Sequence, residues 1–194
     1  MARKAAPAGD IVKLKVTLQG ISPPIWRRLL VPAMMTLRDL HEVLQTSMGW
    51  GDAHLHDFDI AGERYGAPGT TDDVENEARM TLDRVRKAGV ARFKYTYDFG
   101  DDWEHLIVIE GMVARVEGQH YPACIAGKRA CPVEDSGGAY GYPHLVEVMA
   151  DPAHPEHEDM SEWVPEDFDP EAFSVEAVDA MLAAQFGPAE PAKR

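Results

Sequence analysis

From Ile11 onward apolar and polar residues alternate: Val12, Leu14, Val16 and Leu18 fall on one side, Lys13, Lys15 and Thr17 on the other. A two-residue period puts successive side chains on opposite faces of an extended chain, so residues 11–18 are read as a half-buried strand. The Gly/Pro stretch 20–24 turns the chain, and residues 26–31 return as a second strand, read with Trp26 inward and one of Arg27 and Arg28 outward. The period then changes. Leu37, Leu40, Leu44 and Met48 line one helical face behind Thr36, a hydroxyl N-cap, and ahead of Gly49, a helix stop.

Residues 55–61 read as a further strand, with 63–65 pairing back on it. The polar stretch 66–80 reads as a surface loop, and Thr81 as the cap of a short helix ending at Lys87. Phe93, Tyr95, Tyr97 and Phe99 alternate with Lys94, Thr96 and Asp98. A Gly100-Asp101-Asp102 turn follows, residues 103–110 return as a strand, and 112–116 would complete a meander. Residues 121–143, rich in Gly and Pro, are too irregular for a regular element and long enough to suggest function. Three helical stretches close the chain at 143–149, 155–163 and 174–186, the last capped by Ser174 and stopped by Gly187-Pro188.

Strands first and helices later predict an α+β fold. Its mixed or largely antiparallel sheet is built from an N-terminal hairpin-helix unit and a central meander, with C-terminal helices packed on it. Residues 1–10 are expected to be a disordered leader and 187–194 a tail. Residues 11–186 are expected to form one domain, whose helical part, 143–186, is acidic.

Charge sharpens this division. The 194 residues carry a formal charge of −14. Residues 1–129 hold 17 Lys/Arg against 18 Asp/Glu, whereas residues 130–192 hold 15 Asp/Glu and no Lys or Arg. Nucleic acid is therefore a disfavoured partner, since duplex binding draws its affinity from cations on phosphates. The acidic third suits a basic protein partner instead. Two cysteines are too few for a disulfide scaffold, and neither a secretory leader nor a bilayer-spanning apolar run is present. The expectation is a cytoplasmic protein without membrane association.

Several residues carry candidate chemistry. His54 and His56 are two apart, on one face of a strand, where both imidazoles could meet one metal. Asp98, Asp101, Asp102 and His105 add donors around one hairpin, enough for zinc or manganese if they converge. The alternative is histidines hydrogen-bonded to carboxylates at the core edge, which suits His105, on the strand face of Trp103 and Ile107. The Asp98-Phe99-Gly100 triplet lacks every other kinase element. Cys124 and Cys131 leave open a mixed metal site with His105 or His120, a redox disulfide, or reduced thiols inside the loop. Glu134 and Asp135, before Ser136-Gly137-Gly138, lack a phosphate-loop context and read as caps on loop amides. Trp26, Arg27 and Arg28 form a basic-aromatic spot that is either a contact for an anion or part of a strand.

The strings PPIWRRLLVP (23–32), TLRDLHEVLQTSMGW (36–50), HLHDFDI (54–60), YTYDFGDDWEH (95–105), YPACIAGKRACPVEDSGGAYGY (121–142) and FDPEAF (168–173) occur in one order along residues 11–186. Together they resemble the plasmid pRiA4b ORF-3-like family. Val133 departs from the family's Cys-Pro-Pro-Glu-Asp pattern, at its second proline. The resemblance implies an α+β, cytosolic, prokaryotic protein; some relatives are labelled resolvases associated with mobile elements. The residues give that label little support. The first serine is Ser22, in a proline turn, and no arginine lies between Arg129 and Arg194, so neither serine- nor tyrosine-recombinase chemistry is assembled.

The leading expectation is a non-enzymatic binding or adaptor module, with no catalytic residue assigned. Its polar-aromatic pocket would draw on Trp26, Arg27, His54, His56, Asp98, Asp101, Asp102, Trp103, His105, Cys124, Cys131, Glu134, Asp135, Tyr140 and Tyr142, with the acidic helices facing a partner. No cofactor is expected. Were zinc or manganese bound, the candidate ligands are His54, His56, His105, Cys124 and Cys131. The alternatives are a metal-dependent hydrolase or nuclease-like enzyme and a transposon-associated accessory protein.

Overall fold

The computed structural model describes residues 10–69 and 73–187. The expected leader, apart from Asp10, the tail beyond Gly187, and residues 70–72 of the expected loop lie outside the described residues. Eight strands form one sheet in the order β5-β4-β3-β6-β7-β1-β2-β8. In chain order these are β1 (Ile11–Leu18), β2 (Trp26–Pro32), β3 (His56–Ile60), β4 (Glu63–Gly66), β5 (Glu75–Asn76), β6 (Arg92–Tyr97), β7 (Trp103–Val113) and β8 (Ala123–Lys128). Every pairing is antiparallel except β4 with β5. The helices are α1 (Leu37–Met48), α2 (Leu82–Lys87), α3 (Gly138–Ala150), α4 (His157–Ser161) and α5 (Val175–Phe186), with a 3₁₀ turn at Glu77–Arg79. The α+β architecture is as expected.

Helix α1 forms where its apolar spacing predicts. Thr36 Oγ1 accepts from the Asp39 N–H, and the Asp39 side chain accepts in return from the Thr36 N–H, a capping box. Gly49 ends the helix in the left-handed region at φ 91°. The buried sides of β1, β6 and β7 join α1 and α5 in one core that contains Leu14, Leu40, Tyr95, Ile107 and Leu182. The opposite sheet face is polar and carries ion pairs such as Lys94–Glu104.

The central meander differs from expectation. Residues 112–113 are not a third strand but the end of β7, and that strand's second neighbour is β1. Lys13 pairs with Gly111 and Leu14 with Ile109, so Glu110 is an extra, bulged residue. The bulge breaks the alternation that would have marked one long strand. It also turns the Glu110 carboxylate toward Arg28, whose Nε and Nη2 each donate to it at 2.8 Å. Asp98, at φ 56°, ends β6 at Tyr97, so Phe99 is an exposed turn residue. The stretch 121–143 holds an edge strand, β8, and the first turns of α3, which begins five residues before Pro143.

The phase of β2 is the reverse of the expected one. Ile25, Arg27, Leu29 and Val31 face the core, while Trp26 lies on the outer face within 5.3 Å of Lys15 and 5.2 Å of Arg28. Arg27 is 2% exposed, yet its guanidinium is well supplied with acceptors. Nε donates to Ser47 O (2.9 Å), and Nη1 donates to Trp26 O (3.0 Å) and Lys128 O (3.1 Å). Phe173 lies 4.2 Å beneath the plane. Ser47 sits in the last turn of α1, where carbonyls lack helical partners and the helix dipole is negative, so a buried cation is favourable there.

Candidate functional site

The polar residues gather in two neighbouring places beside α1 and β3. The first is built around His41, on α1. Asp52 N–H donates to Gln45 Oε1 (3.0 Å), which turns Gln45 Nε2 toward Tyr95 OH, a 2.9 Å donation. Tyr95 is fully buried, so its hydroxyl proton needs an acceptor, and His41 Nδ1 lies 2.8 Å away. The remaining imidazole proton is therefore on Nε2, which donates to Asp52 Oδ1 at 2.8 Å. Burial, followed by the charge of His56, lowers the His41 pKa to about 4, so the ring is neutral near pH 7.

His56, at the start of β3, stacks on His41 with 3.4 Å between ring centroids and 6° between planes. Its Nε2 lies 2.8 Å from Oε2 of Glu77, a carboxylate on a residue only 2% exposed. The short β5 and the 3₁₀ turn bring Glu77 there, with Asn76 Oδ1 capping the turn through Ala78 N–H. Above this pair lies a cavity of about 430 Å³ whose walls include Arg38, Glu42, Asp52, His54 and Asn76.

The second gathering lies where the 50–54 segment, the end of β6 and the loop before α3 meet. Trp50 Nε1 donates to Pro132 O (2.9 Å), Gly51 N–H to Glu134 Oε2 (3.3 Å), and Tyr97 OH to Glu134 Oε1. Gly137 N–H donates to Asp101 Oδ2 at 3.0 Å. Glu134 thus ties down a loop amide and a tyrosine hydroxyl, the capping role expected of it, whereas the amide of Gly137 is held by Asp101 and not by Asp135, the other acid expected to cap. His54 Nε2 stands between Asp98 Oδ2 (3.7 Å) and Asp135 Oδ1 (3.4 Å).

The structure distributes the other expected site residues widely. His105 is wholly buried, with Nδ1 3.3 Å from Tyr95 O and a pKa lowered to about 4, mainly by burial. Trp103 and Tyr142 are core side chains whose rings meet edge-on, while Tyr140 is 97% exposed. Asp102, at φ 54°, serves the hairpin turn, its N–H donating to Asp98 O. Cys124 and Cys131 are free thiols; burial pushes the Cys131 thiol up to about 11, and its Sγ lies 3.0 Å from Met48 Sδ. Trp26 and Arg27 belong to the other phase of β2, described above. Among the described residues, two groups of His, Cys, Asp or Glu have donor atoms within 4.8 Å of one another: His41–Asp52–His56 and His54–Asp98–Asp135. Neither includes His105, Cys124 or Cys131.

Sequence reasoning missed His41, Gln45, Asp52, Glu77 and Tyr95 as site residues. A signal for the first two exists: positions 41 and 45 extend the apolar stripe of α1, so a His and a Gln there are buried polar groups in need of partners. Glu77 sits in a segment whose composition reads as a solvated loop, and nothing local marks it for burial.

No helix among the described residues is long and apolar enough to cross a membrane. Residues 10–177 match the family model described as plasmid pRiA4b ORF-3-like protein. The chain is 42% identical over 157 residues to the uncharacterized protein y4hQ of Sinorhizobium fredii, covering 79% of this chain and 80% of that one. It is also similar to the crystal structure of MM3350, a protein of unknown function from Methanosarcina mazei Go1. The TM-score is 0.80 at 41% identity, over 86% of this chain and 96% of the other.

Proposed function

The chain belongs to the plasmid pRiA4b ORF-3-like family, and from that premise we propose that it is a non-enzymatic binding module. Its ligand seats over the His41–His56 pair and carries a positively charged hydrogen-bond donor. Charge balance in the cavity wall carries this reading. The carboxylates of Glu42, Asp52 and Glu77 share the wall with one guanidinium, that of Arg38, while His41 beside them is held neutral. A largely pre-formed concave site with a few fixed polar groups is the usual form of a small-ligand pocket. An ammonium or guanidinium group complements it, whether on a free small molecule or on a side chain of a basic protein.

The C-terminal helices support the protein-partner side of this reading. Between residues 143 and 186 the carboxylate residues are exposed, apart from half-buried Asp179. Glu156 pairs with His144, and Glu171 with Arg129. Glu158, Asp159 and Glu162 lie on or beside α4 with no cation partner among the described residues, so they are available to a basic surface. The working compartment on this reading is the cytoplasm, in keeping with two unpaired thiols.

Imidazole resonances of His41 and His56, followed by NMR during titration with agmatine, a lysine-rich peptide or citrate, test the pocket. Agmatine, the peptide or both are expected to move them, and citrate to leave them in place. Movement by citrate alone, or by none of the three, overturns the pocket reading. For the acidic face, a pull-down comparing the native chain with a Glu158→Lys, Asp159→Lys, Glu162→Lys variant is expected to lose its salt-sensitive partners. A variant that retains them all removes that part.

A further inference from the structure

We propose that His54, Asp98 and Asp135 form a site for one zinc ion, a function that goes beyond the pocket reading and does not depend on it. The first argument is spacing. Where histidine meets carboxylate elsewhere among the described residues, the contact is shorter: 2.8 Å for His41–Asp52, 2.8 Å for His56–Glu77, 2.9 Å for His144–Glu156 and 3.2 Å for His120–Asp179. His54 Nε2 instead stands 3.4 Å from Asp135 Oδ1 and 3.7 Å from Asp98 Oδ2, too far for a good hydrogen bond to either. Two donors each ~2.0–2.2 Å from a tetrahedral ion are themselves about 3.3–3.6 Å apart. The 3.4 Å separation falls in that range and the 3.7 Å one just beyond it, and all three donor atoms lie within 4.8 Å of one another, close enough to share one ion.

The second argument is an unused valence on a largely buried side chain. The Asp98 side chain is nine-tenths buried, at 9% exposure. Its Oδ1 accepts from Gly100 N–H at 2.9 Å, but Oδ2, turned toward His54, accepts no hydrogen bond from any described residue. No Lys or Arg among the described residues pairs with Asp98 or Asp135. That oxygen is not one of the fully enclosed side-chain atoms, so it can ligate an ion that reaches it from solvent.

The donor set also selects the ion. One imidazole and two carboxylates offer nitrogen and oxygen, neutralise a divalent charge, and suit zinc, with manganese weaker by the usual affinity order. His54 and Asp135 have 29% and 76% side-chain exposure, so the ion has a path from solvent and an open coordination position.

The rival group, His41–Asp52–His56, is at a disadvantage. A metal there needs the Nε2 lone pair of His41, whereas the chain from Asp52 N–H through Gln45 and Tyr95 places the proton on that nitrogen. Freeing it strands the buried Tyr95 hydroxyl proton.

Isothermal titration of the metal-free full chain with zinc chloride tests the proposal, with the visible spectrum of the cobalt(II)-loaded protein as a second readout. One equivalent of zinc should bind, manganese should bind more weakly, and cobalt should give a tetrahedral nitrogen/oxygen spectrum. His54→Ala and Asp98→Asn should each weaken zinc at least tenfold, and His41→Phe should leave the titration unchanged, each variant's fold being checked by its melting curve. Should Asp98→Asn fail to fold, the partly exposed His54→Ala decides alone. Absence of saturable one-to-one binding, native affinity in His54→Ala, or loss of binding confined to His41→Phe overturns the site.

Discussion

The imidazole of His41 lies flat against that of His56, their centroids 3.4 Å apart, and each ring turns its Nε2 to a different carboxylate, Asp52 for the first and Glu77 for the second. Two unit charges about 4 Å apart repel by ~4 kcal/mol at an effective dielectric constant near 20, so the stack does not readily hold two protonated rings. The more deeply hydrogen-bonded ring, His41, is the one kept neutral, its Nδ1 accepting from Tyr95.

Stability should fall on acidification through the histidine range. His41 and His105 have folded-state pKa values lowered from 6.5 to about 4, chiefly by burial. The unfolded chain therefore takes up their protons first. The stability linked to their neutral burial is complete above about pH 6.5 and is lost as pH falls toward 4, at roughly 1.4 kcal/mol per pH unit for each histidine. Urea midpoints between pH 7.5 and 4.5 should show this slope. His105→Phe should remove about one proton's worth of it, and an unchanged slope in that variant would contradict the assignment.

Tyr95→Phe should raise the His41 pKa from about 4 toward its ordinary value, because the hydroxyl donates to Nδ1 of the neutral ring and so favours the neutral form. An NMR pH titration of the His41 ring checks the direction. The same change strands Gln45 Nε2 and should cost about 1–3 kcal/mol of folding stability.

Arg27→Leu should cost about 3 kcal/mol or more, because Ser47 O, Trp26 O and Lys128 O each lose a donor inside the protein. Arg27→Lys should recover little, since one ammonium cannot span the guanidinium's set of acceptors. Chemical denaturation of the three proteins side by side settles the order.

Two glycines separate backbone strain from steric collision. Gly138 has φ +67°, and a Cβ there would lie 2.2 Å from Asp101 O; Gly49 has φ +91°, with open space around its Cβ position. Gly49→Ala should cost about 1 kcal/mol for the left-handed conformation alone, and Gly138→Ala at least twice that, because α3 must also retreat from the β6–β7 turn. Equal losses in thermal melts would show that α3 shifts freely.

Features resting on near neighbours in the chain were legible beforehand. The 11–18 alternation became β1, and the Leu37, Leu40, Leu44, Met48 spacing became α1 between Thr36 and Gly49. The α+β class followed, because strand and helix periods are local properties that survive whatever packs against them. His54 and Asp98 could be singled out by residue type, and Glu134 as a cap, since turns and loops are where such groups act, but Asp135 reads beforehand as a second cap and not as a neighbour of His54.

Features that depend on distant partners were not legible. Trp26 and Arg27 exchange faces because the C-terminal turn of α1, twenty residues on, supplies Ser47 O to the guanidinium. Glu110 is bulged because β1 comes back beside β7, and Glu77 is buried because His56 lies beneath it. A hydrophobic side chain is satisfied by any apolar surroundings, so its pattern is sufficient to place it. A polar side chain needs one particular partner at one distance and angle. The chain's order therefore specifies its elements and their apolar faces, whereas the pairings that make a site of His41, Asp52, His56 and Glu77 exist once folding has brought their segments together.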